Sequence, residues 1–93
     1  MLFLLNKMQP DTFDLIRLLG GDQEKEALLV EDAVFYASDH WLPKFHAAGV
    51  GTLYAAQDAV AERSLSLAAE CQTVDYERIV DLLMEEHERV ICL

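Results

Sequence analysis

Short unbroken apolar runs alternate along this chain with segments of helical periodicity, and that alternation restricts the fold more than any other feature. Met1 to Leu5 is wholly apolar and stops at Asn6-Lys7, the pattern of a strand buried on both faces. Pro10-Asp11-Thr12 opens a helix in which Phe13, Ile16 and Leu19 recur at helical spacing with Leu15 beside them, and Gly20-Gly21 closes it. Ala27 to Val30 is a second interior strand, bounded by Glu24-Lys25-Glu26 and Glu31-Asp32. Pro43 divides the next stretch into a turn near Val34 to Ala37 and a helix carrying Trp41, Leu42 and Phe45, which Gly49 ends. Thr52 to Ala56 reads as a third strand and Gln57 to about Leu67 as a third helix, with Val60 and Leu65 facing inward. Gln72 to Val74 is a fourth strand. Asp75 then caps a helix whose Tyr76, Ile79, Val80, Leu83, Met84 and His87 fall on one stripe, and Arg89 to Leu93 is a fifth strand.

Strands that alternate with helices through short connections imply right-handed βαβ units. The expected fold is therefore a single α/β domain over residues 1–93 with three layers, about five mainly parallel strands and helices on both faces. A flavodoxin-like strand order, 2-1-3-4-5, is the expectation. No repeat, linker or low-complexity segment interrupts the sequence.

Composition narrows the function. Hydrophobic residues make up 53% and charged residues 26%, the balance of a globular fold. Chains this short hide only about 60–65% of their unfolded surface, so the apolar excess points to an oligomer. Seventeen acidic against seven basic residues give a formal charge of −10, which disfavours direct contact with nucleic acid, because phosphate binding needs clustered Lys and Arg. The same acidity serves solubility or guides basic partners. Met1 to Leu5 is shorter than the roughly 7–15 apolar residues of a signal-peptide core, and no run approaches the roughly 20 that cross a bilayer. Cys71 and Cys92 form no CxxC pair or secreted framework, and they read as thiols in a reducing cytoplasm.

In a parallel sheet a ligand crevice lies beyond the carboxyl ends of the strands, which here bring Asn6, Lys7, Asp32, Asp58 and Asp75 to the fore. The glycines at Gly20-Gly21 and Gly49-Val50-Gly51 follow helices and precede strands, the wrong side for a phosphate-binding turn, so no nucleotide or flavin cofactor is expected. Asp32, Asp58 and Asp75 are acid–base candidates, although helix capping explains each more simply. The His and Cys residues show no metal-ligand spacing, no nucleophile motif surrounds Ser64 or Ser66, and His87 reads as a partly buried structural histidine. For sulfur chemistry the two thiols are the candidates. Cys71 stands at a strand start away from the crevice, and Cys92 lies in the last strand, reachable if that strand is an edge.

Leu28 to Val34 (LLVEDAV), Leu53-Tyr54-Ala55 followed by Arg63-Ser64-Leu65, and Val74 to Leu83 (VDYERIVDLL) resemble the DsrH/TusB family of sulfur-relay proteins. Asn6-Lys7 and the His87 to Leu93 ending also fit, so the likeness runs nearly the whole length. The resemblance implies a DsrE/DsrF/DsrH-like fold and assembly with DsrE/TusD-like and DsrF/TusC-like paralogues into a heterohexamer. That assembly passes persulfide sulfur to a DsrC/TusE-like carrier, for 2-thiolation of tRNA wobble uridine or for dissimilatory sulfur oxidation. The family's main acceptor cysteine belongs to the DsrE/TusD paralogue. Where some members carry a cysteine in the first helix, this chain has Leu15; it has Ser64 in place of a glycine, Asp58 one position early, and Cys92-Leu93 in place of Ser-Trp.

The expected protein is thus an accessory subunit with no reaction of its own, with Asp32, Asp58, Arg63 and Tyr76 as candidate crevice or interface residues. The alternative is a stand-alone homo-oligomer that uses Cys92 as a transient persulfide site. A small-molecule sensor using the crevice is a third reading, from fold analogy alone.

Overall fold

Each apolar run forms a strand. In the computed structural model, which describes residues 1–87 and 89–93, these are β1 (Leu2–Leu5), β2 (Lys25–Leu29), β3 (Val50–Ala56), β4 (Cys71–Val74) and β5 (Val90–Cys92). Helices α1 (Thr12–Gly20), α2 (Leu42–Ala47), α3 (Gln57–Glu62) and α4 (Tyr76–Asp81) lie between them. A 3-10 helix, Glu31–Tyr36, follows β2, and a π turn, Leu82–Glu86, continues α4. Glu88, within the His87 to Leu93 ending, lies outside the described residues.

Every pairing in the five-stranded sheet is parallel, and helices cover both of its faces, as the sequence predicts. The order is β4-β3-β2-β1-β5, not 2-1-3-4-5. The reason lies in the aromatic cluster. Phe13 of α1 meets Tyr36 edge-on at 5.5 Å and Phe45 of α2 at 4.9 Å, and Trp41 closes the group at 5.0 Å from Tyr36. Burying these rings together puts α1 and α2 on one face, and right-handed crossovers on one face advance the strands in one direction. The chain therefore steps from β1 through β4, and α4 crosses the opposite face to bring β5 back beside β1.

Alternation along the strands sorts the core accordingly. Phe3, Leu5, Ala27, Leu29, Leu53 and Ala55 face the side of α1 to α3, where Ile16, Tyr36 and Phe45 are fully buried. Leu2, Leu28, Tyr54 and Val74 face α4, and Leu82 is the buried residue that seals them.

The division expected at Pro43 is present: a short 3-10 turn ends at Tyr36, and Pro43 sits in the first turn of a separate α2, where its missing N–H costs nothing. Two elements depart from the sequence reading. The third helix ends at Glu62 because Ser64 turns left-handed at φ 49°, leaving Leu65 in a loop. The stripe predicted for α4 is split. Ile79 and Leu83 pack inward, but Tyr76, Val80 and Met84 are exposed and Leu82 takes the buried place.

Candidate functional site

Because all five strands run parallel, the residues that follow them share one edge of the sheet. Among the candidates, Asp32 and Arg63 are brought together. Asp32 sits in the first turn of the 3-10 helix, and its Oδ1 accepts bonds from Arg63 Nη2 at 2.7 Å and Nε at 3.3 Å. Arg63 Nη1 also donates to the Ala59 carbonyl at 3.1 Å, and the guanidinium stands 6.0 Å from the centroid of the Phe35 ring. The bridge joins two strained points: Glu31, just before Asp32, has φ 51°, and Ser64, just after Arg63, has φ 49°. A side chain in that region costs about 1–2 kcal/mol, so a fixed clamp between the two turns helps hold both.

The remaining carboxylates divide. Asp75 Oδ1 accepts the Arg78 backbone N–H at 2.9 Å and is a true helix cap. Asp58 is exposed in the first turn of α3, where its charge complements the helix dipole without a capping bond. Tyr76 stands on the outer side of α4 with 78% of its surface exposed, apart from the Asp32–Arg63 bridge.

The thiols occupy contrasting places. Cys71 begins β4, opposite Leu53, half-buried against the core, and burial pushes its thiol up to about 11. At neutral pH such a group is almost wholly protonated, and a protonated sulfur is a poor nucleophile. Cys92 is exposed on the edge strand β5. It registers with Leu4, so it projects to the α4 side of the sheet.

Two polar clusters escape sequence reasoning. On the α4 side, Glu26 Oε1 lies 2.5 Å from His87 Nε2, and Glu26 Oε2 accepts the Tyr54 hydroxyl at 3.2 Å. Arg78 lies 5.9 Å from the centroid of the Tyr54 ring and pairs with Glu86. Burial, then the Glu26 carboxylate, raises the Tyr54 hydroxyl above its ordinary value, and Arg78 opposes the rise. His87 is partly buried, as expected, but on extended backbone just past the π turn and not on the helical stripe; its partner sixty-one positions away carries no sequence signal. At the amino edge, the buried Lys25 extends past Gly20 and donates to the Ala48 carbonyl at 2.8 Å, capping the end of α2. Arg17, Asp22, Lys25 and Gly49 line a cleft of about 680 Å³ beside it, and Glu26, Thr52 and His87 line another of about 260 Å³. Both open at the amino ends of the strands, opposite the edge where a crevice is expected.

Among the described residues no group of three or more His, Cys, Asp and Glu side chains is placed to hold a metal ion, and no helix is long and apolar enough to cross a membrane. The molecule is a small all-parallel α/β domain with one exposed thiol on an edge strand and a polar network beneath its last helix. The family described as DsrH like protein matches residues 10–90, and the chain belongs to that family, which places it among proteins related to sulfur relay. No curated protein matches it.

Proposed function

We propose that this chain is a non-catalytic, accessory subunit of a persulfide sulfurtransferase complex that serves tRNA wobble-uridine 2-thiolation or dissimilatory sulfur oxidation. Its partners are DsrE/TusD-like and DsrF/TusC-like paralogues, and through them a DsrC/TusE-like carrier, all within the cytoplasm. The observation that carries the reading is the exposed apolar surface on a DsrH-like fold. Leu18, Leu19 and Phe35 on one side of the sheet and Tyr76, Val80 and Met84 on the other are large hydrophobic side chains open to solvent. Apolar area left open on both faces favours a subunit built to be covered. The half-buried place of Cys71, at the start of β4 and packed against the core, also favours a role in which the acceptor thiol is supplied by a partner. Co-expression with a DsrE-like and a DsrF-like paralogue tests this: the three chains should co-elute from size-exclusion chromatography, and elution of this chain alone would refute it.

The exposed position of Cys92 favours one second reading, a homo-oligomeric sulfur carrier. In that reaction the Cys92 thiolate attacks the outer sulfur of a donor persulfide, one S–S bond breaks as another forms, and the donor leaves as a thiolate with no net oxidation. Incubation with a cysteine desulfurase and cysteine, followed by intact-mass spectrometry, decides it. One added sulfur atom on Cys92 supports the carrier, and none, where a known acceptor is loaded, removes it.

A further inference from the structure

The outer side of α4 and its π turn carries two adjacent rows. Tyr76, Val80 and Met84 recur every four residues and are exposed at 78%, 36% and 77%. Glu77, Asp81 and Glu85 follow each of them by one position and are also exposed, so an acidic row runs beside the apolar one. On its other flank the apolar row passes into Ile79 and Leu83, which are partly buried against the core of Leu2, Leu28 and Leu82. Apolar surface thus runs outward from the core and stops at a line of carboxylates. Arg78 is the one basic residue between Tyr76 and Glu86, and it is turned to the Tyr54 ring and Glu86.

We propose that this face docks a partner segment of matching chemistry: an amphipathic helix with one apolar line and Lys or Arg along its flank. The inference rests on the reading of the chain as an interaction subunit and names the surface and the partner's charge. Two components of the surface support that occupant together. The apolar row supplies area to bury, and the acidic row selects basic side chains and repels acidic ones. A second copy of this chain fits poorly. A two-fold antiparallel pairing of the apolar rows would set Glu77, Asp81 and Glu85 against the same residues of the copy, in a chain of formal charge −10. Anionic membrane surfaces and nucleic acid meet the same repulsion.

Two synthetic helical peptides with the same leucine row, one flanked by lysines and one by glutamates, test the proposal by fluorescence anisotropy against the full chain. The lysine peptide should bind about tenfold more tightly, the factor to which three exposed charge pairs of ordinary strength amount. Substituting Glu77→Gln, Asp81→Asn and Glu85→Gln together should erase the difference, and Met84→Asp should weaken both peptides. Removing three exposed carboxylates elsewhere, by Asp22→Asn, Glu24→Gln and Asp58→Asn, should leave the preference in place. Equal binding of the two peptides, equal loss in the two charge variants, or indifference to Met84→Asp would overturn the proposal. Its failure is separable from that of the preceding reading. A paralogue complex that survives both α4 variants removes this surface alone, whereas selective binding of the lysine peptide here, with no paralogue complex, removes the subunit reading and keeps the surface.

Discussion

Ser64 occupies a backbone conformation that suits glycine, and its side chain is exposed, so the hydroxymethyl group adds strain without packing. Ser64→Gly should therefore stabilise the fold by about 0.5–1 kcal/mol, the left-handed penalty less the extra chain entropy of glycine. Urea denaturation checks it, and a destabilised variant would contradict the account of that turn. The resemblance that pairs Ser64 with a family glycine makes this position legible in sequence. Lys25 was not legible, because one charged residue between two glutamates gives no hint of burial. Its path needs Gly20, where an added Cβ would overlap Lys25 Cε. Gly20→Ala should displace the ammonium from the Ala48 carbonyl and cost about 1–3 kcal/mol. Cys71 supplies a pH dependence. Its thiol is raised from 9.0 to about 11, so folded and unfolded chains are both protonated below the lower value, and the unfolded chain ionises first above it. The contribution of Cys71 should be constant up to about pH 9 and be lost between about pH 9 and 11, with the raised Tyr54 hydroxyl adding to the loss above its ordinary value. In denaturation titrations across that range, Cys71→Ala should lose less than the parent chain.

The last helix shows where helical periodicity alone misleads. A stripe from Tyr76 to His87 takes in two neighbouring lines of the helix: Ile79, Leu82 and Leu83 face the core at ordinary helical spacing, whereas Tyr76 and Val80, ahead of the π turn at Leu82–Glu86, already stand exposed. Leu82, outside the predicted stripe, is fully buried, and Met84, inside it, is exposed at 77%. Leu82→Ala should cost about 2–5 kcal/mol, whereas Met84→Ala should lie within about 0.5 kcal/mol of the parent. Thermal denaturation of the two variants checks the assignment, and the reverse ranking would place the helix wrongly. Apolar runs mark β1, β2 and β3 directly, whereas β4 carries the exposed Gln72 and Thr73; β2 and β3 extend two residues further toward their starts than those runs, through Lys25-Glu26 and Val50-Gly51. The Asp32–Arg63 bridge was legible as a set of candidates and not as a contact, since nothing in the spacing of two residues thirty-one apart reports that they meet.

At the scale of the molecule, direction was legible and order was not. Short βα connections require parallel strands, but whether β2 lies to one side of β1 or the other depends on which face α1 takes, and the cluster of Phe13, Tyr36, Trp41 and Phe45 settles that through contacts distant in sequence. The resulting sheet is covered by three helices on one face and by α4 alone on the other, where Leu4, Val30, Leu83 and Val90 stay only partly buried. That open face and its apolar neighbours are what the proposal of a partnered subunit rests on. The direct measurement is the mass of the assembly that contains this chain in its native cell, by affinity capture at native abundance followed by light scattering and identification of the companions. The expected result is a stoichiometric complex with a cysteine-bearing DsrE-like chain and a DsrF-like chain. A free species of 10.5 kDa, with neither companion, would contradict it.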